Sequence, residues 1–385
     1  MLEYLLFALA LFGHACLLTY CLNVIYSQPY HKRLLKIVRL LVALAIFVLP
    51  FVYVWQFGVR VTPVLIASMN HPMLIPLAVY LVVVLLMAWL IFPLATVRRW
   101  LHRPPEFVQE STTTIDVAKE LGHAPYGDGK HVAVAKVPFN NIFRVDFTTL
   151  TVHLPNLPAE WDGLTLLHLS DLHFYGTPSR DYYDVIVKKC VADGVPDLLL
   201  ITGDIVDGKQ YIDWIGPILK PLTWKEGAVA ILGNHDWWQD FDAVRGEFRK
   251  LGMEVVSNRW TQVTIRGQPL TVIGHEGPWF RPPPDLSAMP EEGFRLLLSH
   301  SPDNIGWARS LQVSLMLSGH NHGGQIRVPV FGSIFVPSKY SRRYDQGTFW
   351  EPPTLLHVNR GLAGKEPLRF RCNPQVTRIV LRQSQ

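Results

Sequence analysis

Apolar positions along this chain fall into two regimes. In the first hundred residues they run on almost without interruption. Residues 4–26, YLLFALALFGHACLLTYCLNVIY, contain no Lys, Arg, Asp or Glu; residues 40–59 are also uncharged, and residues 73–97, MLIPLAVYLVVVLLMAWLIFPLATV, are apolar almost throughout. A transmembrane helix needs roughly 20 such residues to cross about 30 Å of hydrocarbon, so three spans are predicted. The first does not read as a cleavable leader, because it has no basic n-region and no small-residue cleavage site, and two more apolar stretches follow. His14 and Pro50 fall inside spans, and His14 is expected as a neutral histidine packed against its neighbours.

From residue 164 the apolar runs become short, and each stops on polar residues able to bind metal. LTLLHLSDLH ends at Asp171 and His173, PDLLLITGDIVD at Asp204 and Asp207, and GAVAILGNHD at Asn234, His235 and Asp236. FRLLLSH ends at His300, and VSLMLSGHNH at His320 and His322. Each run has the length of a strand buried on both faces, and helix-like segments at 180–193 and 240–251 lie between some of them. Ligands of open α/β layers collect at the carboxyl ends of strands. Five strand ends closing on Asp, His or Asn are therefore expected to converge on one edge of the fold.

Between the two regimes, PPEFVQESTTT reads as a proline-led linker, and FRVDFTTLTVHL alternates as a strand pair or one long strand. The expected organisation is a membrane region over 1–103, a linker with lead-in strands over 104–160, and a catalytic domain over 161–385.

Charge orients the membrane region. Lys32, Arg33, Lys36 and Arg39 occupy the first loop, only Arg60 the second, and Arg98, Arg99 and Arg103 follow the third span. The positive-inside rule then puts the first loop and the C-terminal domain in the cytoplasm. The formal net charge of +5 is mild, and no Lys/Arg-rich run interleaved with aromatics appears, so nucleic acid is not an expected partner. No obligate protein partner is evident either. The four cysteines form no CxxC pair and two lie in the first span, which argues against a disulfide framework.

The strand-end residues hold too many donors for one transition metal and about the right number for two. A mixed nitrogen and oxygen set without thiolate suits Mn²⁺, Fe, Zn²⁺ or Co²⁺, with Mn²⁺ preferred here. Two such ions about 3.5–4 Å apart clamp a phosphoryl group and activate a water for in-line displacement. The glycines of SGHNHGGQI (318–326) permit a sharp turn, so that His320 and His322 address different ions.

Asp171-x-His173, Gly203-Asp204-x-x-Asp207, Gly233-Asn234-His235-Asp236, His300 and Gly319-His320-Asn321-His322 resemble, in order, the motifs of the calcineurin-like metallophosphoesterase superfamily. The resemblance covers about residues 160–365. It implies an α/β domain built as a two-sheet β-sandwich flanked by helices. It also implies one ion held by Asp171, His173 and His322, another by Asn234, His300 and His320, and Asp204 bridging them. His235 would protonate the leaving oxygen or stabilise phosphate charge, with Asp236 orienting its imidazole and Asp207 giving outer support. The phosphoprotein branch of that superfamily carries an arginine just after the last aspartate, whereas this chain reads VDGK, which weakens a protein-phosphatase reading.

SDLHFYG and GHNHGGQ behind an N-terminal membrane segment look like a bacterial branch with membrane-associated phosphodiesterases, some acting on UDP-2,3-diacylglucosamine. The expectation is an integral membrane hydrolase of a phosphoester, with a lipid bilayer and a lipid-linked phosphoester as partners. A generic or nucleotide phosphodiesterase localised to the membrane is the alternative, and a non-catalytic scaffold or sensor a further one. Trp237, Trp238 and GPWFRPPP (277–284) are candidate rim aromatics, and Lys339, Arg342 and Arg343 a candidate grip on diphosphate or anionic lipid.

Overall fold

The computed structural model describes residues 1–154 and 157–384; residues 155, 156 and 385, which fall in the lead-in and catalytic segments expected from sequence, lie outside the described residues. The chain divides into two compact units, one formed by Met1–Arg103 with Pro337–Arg343, the other by Pro104–Val336 with Tyr344–Gln385.

In the first unit, helices Leu2–Tyr26, Lys32–Phe57 and Pro72–Leu101 are each long and apolar enough to cross a membrane. The basic residues at 32, 33, 36 and 39 are not in a loop, as their place between apolar runs had suggested. They form the first two turns of the second helix, which begins at Lys32 under the His31 cap. His14 is buried, and its ring nitrogens meet the Tyr80 hydroxyl and the Ala45 carbonyl. Hydrogen-bonding both ring nitrogens removes the cost of an unpaired polar group in an apolar bundle. The third helix contains a π turn at Met87–Ile91, after which Pro93 opens a last helical stretch ending near Arg98 and Arg99.

Among the described residues the second unit contains fifteen strands: β1 Val108–Asp116, β2 Arg144–Leu154, β3 Leu164–Leu169, β4 Leu198–Thr202, β5 Gly227–Ile231, β6 Glu254–Val255, β7 Arg259–Ile265, β8 Gln268–His275, β9 Arg295–Ser299, β10 Leu315–Ser318, β11 Arg327–Val328, β12 Gly332–Ser333, β13 Gly347–Glu351, β14 Thr354–Val358 and β15 Gln375–Gln383. One sheet runs β1-β2-β15-β3-β4-β5-β6, a second β13-β14-β10-β9-β8-β7, and β11 with β12 make a small hairpin. The stretch taken from sequence as a linker is thus partly strand. Residues 108–116 pair along their whole length with β2, which is one long strand and not a pair. Threonines at 112–114 explain the miss: they favour extended backbone but carry no apolar alternation.

Alternate residues of the central strands serve two cores. Leu166, Leu198, Leu200, Val229 and Ile231 face the other sheet, where Leu296, Leu298, Leu315, Leu317 and Leu355 meet them. Leu167, Leu169, Leu199, Ile201, Ala228 and Ala230 face outward, onto Ile186 and Val187 of the helix Arg180–Ala192 and Val244 and Phe248 of the helix Phe241–Lys250. Burial on both faces is what the unbroken apolar runs required, and each buried Leu or Val is worth about 1.5–3 kcal/mol. The pairs β3–β4, β4–β5, β8–β9, β9–β10 and β10–β14 are parallel. Their carboxyl ends therefore open toward the same loops, and two sheets contribute to the convergence that the sequence predicted for one edge.

Candidate metal centre

Five strands deliver the polar residues. β3 ends two residues before Asp171, β4 two before Asp204, β5 three before Asn234, β9 just before His300, and β10 two before His320. The backbone must turn at once to bring these side chains inward. It does so at the candidate ligands themselves: φ is 53° at Asp171, 47° at His173, 56° at Asp204, 67° at His320 and 49° at His322. Such left-handed non-glycine residues cost of order 1–3 kcal/mol each and persist only where the surroundings enforce them. Neighbouring glycines make room. A Cβ on Gly319 would stand 1.9 Å from Ser170 Oγ and 2.1 Å from Asp171 Oδ2, and one on Gly233 2.2 Å from Asp204 Oδ1.

Among the described residues three groups of possible ligand atoms result: one is His173, Asp207 and His235, and the other two share a carboxylate. Asp171, His173, Asp204 and His322 offer ligand atoms within 4.8 Å of one another, and so do Asp204, His300 and His320. Asp204 belongs to both. In the first group His173 Nε2 lies 3.6 Å from Asp204 Oδ2, and His322 Nε2 lies 3.5 Å from Asp171 Oδ1. In the second, His300 Nε2 lies 3.2 Å from Asp204 Oδ2 and 3.0 Å from the Asn234 amide oxygen.

The opposite ring nitrogens are tied down. His173 Nδ1 donates to Asp207 Oδ2 at 2.8 Å and His300 Nδ1 to the Thr202 carbonyl at 2.7 Å, while His322 Nδ1 lies between the Ala363 carbonyl at 3.1 Å and Arg369 Nη2 at 3.2 Å. A donor assigned to Nδ1 by its acceptor leaves the Nε2 lone pair for a cation, the usual orientation of metal-binding histidine. His173 Nε2 and His322 Nε2 stand 3.2 Å apart, an approach that either a proton shared between the rings or a cation bound by both makes favourable.

Asp204 points the same way. Its Oδ1 accepts the His235 backbone N–H at 2.8 Å, while its buried Oδ2 makes no well-aligned hydrogen bond and has only the ring nitrogens of His300, at 3.2 Å, and His173, at 3.6 Å, beside it. A buried carboxylate oxygen among imidazole nitrogens is well placed to meet a cation. Burial opposes charge on Asp204 and on His300, yet His300 holds the Asp204 carboxyl well below the usual range, and Asp204 raises His300 to about 9. The donor set thus fits a pair of divalent ions sharing Asp204.

Asp207 and Asp236 exchange the parts expected from the sequence. His235 Nδ1 donates to Asp207 Oδ1, and the other oxygen of the same carboxylate takes His173. Asp236, fully buried, instead accepts backbone N–H groups from Gly233, Ile205 and Val206. It ties the loop after β4 to the loop after β5. Burial raises its pKa to about 7, with Asp204 adding to the effect. Adjacency in GNHD pointed to Asp236, but the helical turn Asn234–Trp237 sends neighbouring side chains in different directions.

Two further features had no legible signal or a misleading one. Trp279 is buried, its ring 4.9 Å from His320 and 5.7 Å from His300, so it packs behind the second group and forms no rim. Trp238 does stand beside the centre, 5.1 Å from the His235 ring. Arg369 is fully buried, and donates to the His322 carbonyl at 2.9 Å and to the Ala363 carbonyl. It holds both ends of the contact that orients His322, and nothing in PLRFRC marks it. Lys339, Arg342 and Arg343 belong with the helical unit, where Arg342 donates to Thr96 Oγ1 at 3.1 Å and lies over the Phe92 ring.

With this geometry in hand, known proteins give a consistent picture. Residues 164–324 match the description of the calcineurin-like phosphoesterases. The chain is 30% identical over 253 residues to the uncharacterized metallophosphoesterase YkuE of Bacillus subtilis, covering 62% of this chain and 86% of that protein. It is 32% identical over 228 residues to the phosphodiesterase YaeI of Escherichia coli, covering 56% and 81%. With the UDP-2,3-diacylglucosamine pyrophosphatase LpxG of Chlamydia trachomatis the identity is 25% over 297 residues, covering 61% and 87%.

Proposed function

The chain belongs to the calcineurin-like phosphoesterase family and is a phosphoric ester hydrolase, and from that premise we propose that it is a membrane-anchored phosphodiesterase or pyrophosphatase acting on a lipid-linked phosphoester. The observation that carries the proposal is the union, in one chain, of this centre with three helices long and apolar enough to span a membrane. A soluble nucleotide needs no such anchor, whereas a head group embedded in a leaflet is brought to high effective concentration by it. The relative named as a UDP-2,3-diacylglucosamine pyrophosphatase supports a substrate of that class. Basic residues at the start of the second helix and the end of the third favour a cytoplasmic catalytic domain.

In this reading Asp171, His173 and His322 hold one divalent ion, Asn234, His300 and His320 the other, and Asp204 is shared, with Mn²⁺ the preferred metal. The chemistry supplied by such a pair is Lewis-acid polarisation of a phosphoryl oxygen and acidification of a water. The chain supplies the rest. His235, with its Nδ1 proton held by Asp207, gives a proton from Nε2 to the leaving oxygen or stabilises phosphate charge. Asp207 stabilises the charged imidazole and fixes its orientation. Asp236 keeps the two loops in register. Trp279 excludes water behind His300 and His320.

A second reading, the same chemistry on a soluble phosphodiester, is favoured by the relative named only as a phosphodiesterase. Hydrolysis of UDP-2,3-diacylglucosamine by detergent-purified full-length protein with Mn²⁺ separates the two. Release of UMP and lipid monophosphate, lost in Asp204→Asn, is the expected result. A preparation that cleaves bis(p-nitrophenyl) phosphate but not this lipid overturns that substrate and returns the choice to other lipid head groups and nucleotides.

A further inference from the structure

β3, LTLLHL, carries an imidazole where alternation calls for a core side chain. Leu166 packs into the core between the sheets, and His168, two positions on, meets the ring of His357 on β14 with centroids 5.8 Å apart. Both rings are buried. A buried imidazole among leucines is costly unless its nitrogens are used, and the metal centre as described gives His168 no part.

One nitrogen is used. His168 Nε2 lies 2.9 Å from Thr202 Oγ1, Thr202 Oγ1 donates to Ser170 Oγ at 2.8 Å, and Ser170 Oγ donates to Asp171 Oδ2 at 2.5 Å. All four residues are buried. Three hydrogen bonds thus lead from the core between the sheets to a candidate ligand. Their direction is fixed from the carboxylate end. An ionised carboxylate only accepts, so the single Ser170 hydroxyl proton points at Asp171. Thr202 then gives its own proton to Ser170 and can only accept from His168, which makes Nε2 the protonated nitrogen.

The other nitrogen agrees. Among the described residues His168 Nδ1 has no hydrogen-bond partner. His357 supplies none, because its two nitrogens engage Thr348 Oγ1 and Thr377 Oγ1, each at 3.2 Å. A buried acceptor left without a partner is tolerated better than a buried N–H left so. Burial also pushes the His168 pKa down to about 3 against the pull of the Asp171 charge, so the ring is neutral. Thr202 is the junction: its hydroxyl reaches Asp171 through Ser170, and its carbonyl takes His300 Nδ1 at 2.7 Å. One residue at the end of β4 therefore touches the supports of both ions.

We propose that His168 is a positioning residue for the metal centre, whose Nε2 proton directs the Thr202–Ser170 hydroxyl pair toward Asp171 and so holds that carboxylate ionised and in one rotation. Without this donor the Thr202 hydroxyl can turn away, and Ser170 can face Asp171 with a lone pair in place of a proton. The inference rests on the reading of Asp171 as a metal ligand but not on the substrate.

The test uses full-length protein in detergent. In metal-free protein labelled with ¹⁵N-histidine, the signal lost in His168→Gln identifies His168, and its nitrogen shifts are expected to report the neutral ring with the proton on Nε2. A proton on Nδ1 overturns the proposal. Mn²⁺ titration followed by electron paramagnetic resonance gives the second readout. His168→Leu removes the donor, and Thr202→Val removes the hydroxyl while keeping the carbonyl; each is expected to weaken Mn²⁺ binding about tenfold. His168→Gln, whose amide can still donate to Thr202 and leaves only an acceptor unpaired, should stay within about threefold of the parent. Should His168→Leu fail to fold, Thr202→Val carries the same prediction. A parent that binds Mn²⁺ no better than Thr202→Val, or a Gln variant as weak as Thr202→Val, overturns the relay alone. A parent that binds no Mn²⁺ overturns it together with the metal reading beneath it.

Discussion

Replacing Asp207 by Asn is the sharpest probe of the centre, because one carboxylate serves two imidazoles. Its Oδ2 accepts from His173 Nδ1 at 2.8 Å and its Oδ1 from His235 Nδ1. An asparagine offers one acceptor oxygen and one NH₂ group, so it can satisfy only one of these N–H donors and must present a donor to the other. If the oxygen stays with His173, His235 loses its acceptor and must change tautomer or orientation. If it turns to His235, His173 no longer shows its Nε2 lone pair to the ion. Loss of an acceptor behind a metal-binding or catalytic histidine costs about 10–100-fold, or roughly 1.4–2.7 kcal/mol. With both histidines on one carboxylate, the expected fall in kcat/KM on bis(p-nitrophenyl) phosphate is about 100-fold or more. Metal content by mass spectrometry distinguishes the two arrangements: full occupancy assigns the loss to His235, depletion to His173. Asp236→Asn is the control. Its amide would oppose a backbone N–H of the Gly233, Ile205 and Val206 set, so it should lower Tm, while metal-saturated folded protein retains most of its rate. Activity of Asp207→Asn within threefold of the parent, or an equal loss in Asp236→Asn without a change in Tm, would refute the assignment of Asp207 as the partner of His235.

The remaining predictions concern metal binding and stability. Asp204→Asn should abolish hydrolysis and lower bound metal, since it removes the carboxylate charge that both donor groups share; retained activity would sink the shared-carboxylate arrangement. Gly319→Ala should weaken metal affinity about 10–100-fold, because its Cβ would overlap Ser170 Oγ at 1.9 Å and Asp171 Oδ2 at 2.1 Å; unchanged metal titration would contradict that packing. Acid should destabilise the metal-free protein through buried neutral histidines. Burial lowers His275 from 6.5 to about 4, and its Nδ1 accepts the Gly277 N–H, which a protonated ring cannot do. A depressed histidine contributes stability that is present above its unfolded value and lost as pH falls from 6.5 through about 4. The full shift is worth at most about 3 kcal/mol, and His275→Gln should flatten that part of the Tm–pH curve. Chelation should lower Tm, and restoring Mn²⁺ should raise it, by ligand linkage; an unchanged melt would mean that the two donor groups bind nothing.

Much of the centre was readable because its chemistry sits at strand ends. The apolar runs from Leu164 to Ser318 alternate between two buried faces, and their shared direction brings five such ends together. What the sequence concealed is orientation. GNHD places Asp236 next to His235, yet a single helical turn rotates it onto three backbone N–H groups, and the partner comes from Asp207, 28 positions earlier. Arg369 was invisible because its role is to satisfy two carbonyls, a requirement created by the fold and carried by no motif. β1 was hidden by polarity: most of its residues face solvent, so no apolar alternation announced a strand.

The left-handed backbone at Asp171, His173, Asp204, His320 and His322 narrows the alphabet from which this centre can be written. Of the common metal-binding residues, Asp and His, with Asn, enter that conformation several times more readily than other side chains. Glutamate and cysteine are disfavoured there before their affinity for a metal is even considered. The ligand types and the turns that present them are thus one choice and not two. Attempts to retune the metal by exchanging ligands should fail at the backbone first, and a redesign has better prospects at the Nδ1 acceptors, the Asp207 carboxylate and the Thr202 and Ala363 carbonyls, than at the ligands themselves.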